Sequence, residues 1–73
     1  MQRPTYYITF EDCDEDGNVY GKWEYKTKNL ISKLTKLLKI QWGNYIRITK
    51  NGTDVIVDNR VFEQKVIDEL KTK

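Results

Sequence analysis

The chain contains no histidine, no alanine and one cysteine, Cys13. Without histidine, the commonest general base and metal ligand is missing. A lone cysteine excludes a disulfide within the chain and suits a reducing compartment. No apolar run approaches the ~20 residues that a membrane span needs. Met1-Gln2-Arg3-Pro4 passes straight into a strand pattern, without the apolar stretch of a secretory leader. A cytoplasmic location with no membrane association is therefore expected. There is also no glycine-rich phosphate loop, no nucleophile elbow and no pair of cysteine ligands. Nothing in the sequence serves as base to the Cys13 thiol. These absences point away from an enzyme, a cofactor, a metal or a small-molecule substrate.

What is present fits one small domain, residues 1–73. A domain of this size buries only about 60% of its unfolded surface, so its stability margin is narrow. Lysine, asparagine, isoleucine and tyrosine are plentiful. Their codons are AT-rich, which suggests a bacterial or phage origin. The net charge of +2 is unevenly spread. Arg3 opposes Glu11, Asp12, Asp14, Glu15 and Asp16 in residues 1–21, a balance of −4. Residues 22–50 carry +7 and residues 51–73 carry −1. An acidic turn is followed by a basic middle.

Thr5 to Glu11 alternates as a strand, with aromatic and β-branched residues. Asp12 to Asn18 supplies turn residues, and Val19 to Tyr25 returns as a second strand. A turn centred on Asp16-Gly17 sets Phe10 opposite Trp23 and Ile8 opposite Tyr25, all on one face. Lys28 to Ile40 carries Leu30, Ile31, Leu34, Leu37 and Leu38 as one helical stripe, with Thr27 or Asn29 as its cap. Asn44 to Lys50 and Thr53 to Val57 form a second hairpin around a type I′ turn at Asn51-Gly52. That turn pairs Ile48 with Val55 and Ile46 with Val57. A last helix, capped by Asp58 or Asn59, carries Phe62, Val66, Ile67 and Leu70 to its core side.

The predicted order is ββαββα, an α+β fold. It has a mainly antiparallel four-stranded sheet and two helices packed on one face. Residues 5–40 and 41–71 form pseudo-repeat halves. The alternative is two poorly paired hairpins with the helices wedged between them. Alternation assigns Tyr6, Ile8, Phe10, Val19, Trp23, Tyr25, Trp42, Ile46, Ile48, Val55 and Val57 to the core side. It assigns Tyr7, Thr9, Glu11, Tyr20, Lys22, Glu24, Tyr45, Arg47, Thr49, Asp54 and Ile56 to the open side.

Three surfaces are candidates for function. The first is the open face, where Tyr7, Tyr20, Lys22, Tyr45 and Arg47 combine aromatic rings with positive charge. Such a surface suits a protein partner or a second copy of the chain. As the alternative, it suits single-stranded nucleic acid stacked on the rings. Glu11, Glu24 and Asp54 on the same face oppose phosphate. Ordinary cross-strand pairing also accounts for tyrosines in strands. The second surface is the first helix, where Lys28, Lys33, Lys36 and Lys39 lie opposite the leucines. They suit a phosphate backbone or simply water. The third is Asp12 to Val19, which resembles the first part of an EF-hand calcium loop. The resemblance covers eight residues and fails at the twelfth loop position, where Trp23 stands in place of glutamate. The acidic turn also matches a basic partner or the basic middle of another copy, in a salt-sensitive contact. The reading that results is a small non-catalytic interaction protein, with a nucleic-acid-binding module as the alternative.

Overall fold

The computed structural model describes residues 3–40 and 43–72. Its elements run β1 (Tyr6–Cys13), β2 (Val19–Thr27), α1 (Leu30–Ile40), β3 (Tyr45–Lys50), β4 (Asp54–Asn59) and α2 (Gln64–Lys71). The expected α+β order ββαββα is present, with one antiparallel sheet in the order β2-β1-β3-β4. β1 and β3 are the central strands, joined from Tyr6↔Lys50 to Glu11↔Tyr45. This pairing excludes the alternative of two separately wedged hairpins. β2 and β3 flank β1, so α1 carries the chain across β1 from one side to the other.

Both helices cover the same sheet face. Ile8 and Phe10 from β1 and Ile46 and Ile48 from β3 form the floor of the core. Leu34 and Leu37 from α1 and Phe62, Val66 and Ile67 close it from above. Every one of these residues is almost fully buried. Phe10 holds three parts together. Its ring meets Tyr25 edge-on at 6.1 Å and Phe62 at 5.5 Å. Among the described residues no helix is long and apolar enough to cross a membrane.

The first hairpin keeps the expected register, Phe10↔Trp23 and Ile8↔Tyr25. It departs only at its mouth, where Asp12↔Gly21 gives way to Cys13↔Val19 and Tyr20 becomes an extra residue. Val19 therefore leaves the core side and is 50% exposed. The expected core residue Trp42 lies outside the described residues.

The second hairpin departs more. Asn51 and Gly52 have φ of 56° and 80°, as a type I′ turn requires, and Thr53 N–H donates to the Lys50 carbonyl. Pairing resumes one residue later than expected, at Lys50↔Asp54 and Thr49↔Val55. A bulge at Ile56 then adds a second shift, giving Ile48↔Val57 and Ile46↔Asn59. The expected pairs Ile48–Val55 and Ile46–Val57 are thus replaced. Two single-residue shifts restore Val57 to the core side, while Val55 and Ile56 exchange roles. Val55 is 49% exposed on the open face, and Ile56 packs against the core. Asp54, opposite Lys50, moves to the helix side of the sheet.

This exchange gives a direct test. Val55→Asp is expected to change stability by no more than about 0.5 kcal/mol, the range of ordinary surface substitutions. Ile56→Asp, which removes an apolar side chain packed on the core, is expected to cost several times that, roughly 1.5 kcal/mol or more. Urea unfolding of the two variants measures the difference, and equal losses would mean the bulge is misplaced.

Both helices start later than the spacing suggests. Thr27 Oγ1 accepts the Asn29 N–H at 3.0 Å, and the Asn29 carbonyl accepts the Lys33 N–H at 3.0 Å. Asn29 is therefore the cap, and Lys28 precedes the helix. The Asn29 side chain does not cap; its Oδ1 accepts from Arg3 at 2.6 Å. Asp58 and Asn59 do not cap α2, because both belong to β4. The cap position is Glu63, which makes no side-chain cap bond. Phe62 still reaches the core, from the segment leading into the helix.

Candidate functional site

The register lays out the open face in rows. One row runs Lys26, Tyr7, Thr49, Val55 from β2 to β4. The next runs Glu24, Thr9, Arg47, Asp58. A third runs Lys22, Glu11, Tyr45. Neither helix covers these residues, since both pack on the opposite side. Cations and carboxylates alternate down β2 and across the middle row. Lys22, Lys26 and Arg47 are matched in number by Glu11, Glu24 and Asp58. Lys22 Nζ lies 3.3 Å from Glu24 on its own strand. Lys26 Nζ sits 5.9 Å from the centre of the Tyr7 ring, a cation–π contact between cross-strand neighbours.

The structure does not gather the three tyrosines into one platform. Tyr7 is 41% exposed in the first row. Tyr45 begins β3, four residues before Thr49, the partner of Tyr7, and so stands about 14 Å away along the strands. Its hydroxyl donates to the Asp58 carboxylate. That bond, then desolvation, raises the Tyr45 pKa above 10.0. The contact contributes stability fully below pH 10, and this stability is lost as the pH rises through the folded value. Tyr20, 75% exposed, occupies the β2 bulge at the sheet corner and belongs to the turn. Arg47 is exposed at the centre of the face, between Thr9 and Asp58.

The lysines of the first helix are likewise divided. Lys33 lies 5.0 Å from the Tyr25 ring, over the sheet edge. Lys28, just ahead of α1, lines a groove with Tyr6, Leu30, Ile31, Lys50, Ile56 and Leu70. Only Lys36 and Lys39 remain on the outward side of the helix, both exposed.

The acidic turn closes on Asp14. One carboxylate oxygen accepts the N–H groups of Asp16 and Asn18 at 2.9 and 2.7 Å. The other accepts the Asn18 amide at 3.0 Å and the Tyr20 hydroxyl at 2.9 Å. This carboxylate holds the turn and the bulge together. Among the described residues, no group of three or more Cys, Asp or Glu side chains converges to hold a metal ion. The Asn18 side chain and backbone N–H, with Tyr20 and Asp16, hold the Asp14 carboxyl below 3.8. Such a group stabilises the fold above its unfolded pKa, and the contribution is lost as the pH falls through the lower folded value. Asp14→Asn is therefore expected to flatten the acid limb of stability. Thermal unfolding of both proteins from about pH 5 to pH 2 checks it; superimposable limbs would remove Asp14 from the account.

Sequence reasoning missed three participants. Asp14 carried a readable signal, since aspartate accepting the N–H two residues on is a common turn device. Lys26 lies one residue past the expected end of the second strand at Tyr25, whereas β2 runs on to Thr27 and pairs Lys26 with Tyr7. Asp58 lies opposite Tyr45 in the expected register too, one residue past the expected strand end at Val57, and the two shifts move it opposite Arg47. No protein family, curated protein or solved structure matches the chain.

Proposed function

We propose that this chain is a non-catalytic interaction protein that lays its open sheet face against a protein partner. The observation that carries the reading is the alternating, self-neutralising charge of that face around Tyr7, Arg47 and Val55. Complementary charges in a fixed pattern give register and specificity against another patterned protein surface. Tyrosine and arginine supply anchoring contacts of the type enriched in such interfaces. A nucleic-acid backbone presents charge of one sign and favours a face with a positive excess. The single thiol and the absence of a long apolar helix among the described residues fit a cytoplasmic partner.

The test is affinity capture from bacterial lysate with wild type and with a Tyr7→Ala/Arg47→Glu variant, each with and without nuclease. Capture by wild type that survives nuclease and disappears in the variant is the expected result. Capture that nuclease abolishes would assign the face to nucleic acid instead. Capture unchanged in the variant would place the contact on another surface.

A further inference from the structure

The two ends of the sheet carry opposite charge, and each carries exposed apolar surface. β1 begins at one end with Tyr6 and reaches the other with Cys13. At the far end stand Asp12, Asp14, Glu15 and Asp16, opposed by Lys39 and Arg60. Four of the exposed large apolar residues lie at that end of the fold: Val19 and Tyr20 at the start of β2, Ile40 at the end of α1 and Val61 after β4, between 47% and 75% exposed. At the near end stand Arg3, Lys26, Lys28, Lys50 and Lys71, opposed by Asp54 and Glu69. Between them lies a groove of about 510 Å³, with apolar walls from Leu30, Ile31, Ile56 and Leu70. Lys28 and Lys50 line the same groove, and neither forms an ion pair among the described residues.

The ends are separated by the length of β1, about 24 Å at ~3.4 Å per residue. That exceeds the Debye length of about 8 Å at physiological salt, so the two sets of charge do not compensate each other within one molecule. Each end is complementary in charge to the other and also exposes apolar surface. The occupant that satisfies both requirements is therefore present on the chain itself.

We propose that the chain associates head to tail with further copies, the acidic turn and its Val19–Tyr20–Val61 collar seating on the lysine-lined groove of the next copy. The contact joins two different patches, so it is heterologous and extends beyond a dimer. It goes beyond the sheet-face reading and uses none of the residues altered in the test above, so either can fail alone.

Glu15 and Asp16 are suited to the test because their carboxylates are outside the Asp14 hydrogen bonds that hold the turn. One variant is Lys28→Gln/Lys50→Gln, with the groove neutralised. The other is Glu15→Gln/Asp16→Asn, with the turn weakened. The measurement is sedimentation equilibrium at low salt (about 10 mM, Debye length about 30 Å) and at about 1 M, where it is about 3 Å. Wild type is expected to pass beyond dimer mass at low salt as concentration rises, and to return to monomer at high salt. Each variant alone is expected to lose about tenfold or more in association constant. An equal mixture restores one intact turn facing one intact groove, and is expected to form a heterodimer and stop there. That recovery also shows that both variants are folded. A strictly monomeric wild type at low salt overturns the proposal, as does association that neither variant weakens or a mixture that stays monomeric. A monomeric wild type whose groove binds an oligonucleotide, with binding lost in Lys28→Gln/Lys50→Gln, also overturns it and assigns the groove to phosphate.

Discussion

Phe10→Ala is expected to leave the protein largely unfolded at room temperature. Phe10 is 1% exposed and central in the sheet, and its ring touches Tyr25 on β2 and Phe62 before α2. Removing a buried phenyl ring costs about 3–5 kcal/mol, from lost transfer energy and from the cavity left behind. A 73-residue domain has roughly 4–11 kcal/mol in total, at about 0.05–0.15 kcal/mol per residue. The loss is thus comparable with the lower end of that range, where small domains without a disulfide or metal lie. Relaxation into the cavity is limited, because the ring joins three separate elements that would have to move together. Urea unfolding followed by tryptophan fluorescence measures the effect. A midpoint close to that of wild type would mean that the helices and β2 do not depend on this ring for their contact.

The second large effect is expected at Gly43. Its φ is +74°, and a Cβ there collides with the Glu11 carbonyl oxygen. The same oxygen accepts the Asn44 N–H at 3.0 Å. The Asn44 side chain brackets the next stretch of β1, accepting from Cys13 N–H at 3.0 Å and donating to its carbonyl at 2.8 Å. The segment entering β3 is therefore fastened tightly along β1, and a methyl group at residue 43 forces it away. The left-handed backbone alone costs an alanine about 1–2 kcal/mol. Loosening a pair of hydrogen bonds adds about 1 kcal/mol for each one lost. Gly17 provides the control. Its φ is +88°, but nothing lies within 4 Å of an added Cβ. Gly17→Ala carries the backbone penalty only, so the gap between the two alanine variants isolates the collision. Equal destabilisation would show that the approach of Gly43 to Glu11 is not constraining.

Much of this architecture is legible in the sequence, for identifiable reasons. Alternation along Tyr6 to Phe10 and the leucine spacing in α1 each have a single apolar face, so each element has only one orientation against a core. The first hairpin is legible down to its partners because Phe10, Ile8, Trp23 and Tyr25 agree with the turn. The second is not, although its Asn51-Gly52 turn is the stronger local signal. Thr53 and Ile56 each insert a residue, and β-branched residues suit a regular strand as well as a bulge. Val55, Ile56 and Val57 are all apolar, so their pattern leaves open which of them faces the core. The candidate face inherits that ambiguity. Tyr7, Lys22 and Arg47 stand where alternation puts them, whereas the carboxylate beside Arg47 is Asp58 rather than Asp54. Tyr20 leaves the face because Asp14 captures its hydroxyl, a contact decided by the bulge.

The position of β1 in the sheet has a consequence for how the chain is made. β1 pairs on one side with β2, its neighbour in sequence, and on the other with β3, which follows only after α1. Hairpins form in about 1–10 μs, far faster than synthesis at about 5–20 residues per second. A lone two-stranded ribbon is at most marginally stable in water, so β1–β2 pairs only transiently until β3 joins it. During that interval Ile8 and Phe10 have no opposing strand on their inner side, and the inner edge of β1 offers unpaired N–H and C=O groups, the kind of edge that recruits other strands. The docking of β3 on β1, and no earlier step, therefore closes the interval in which this protein is open to mispairing.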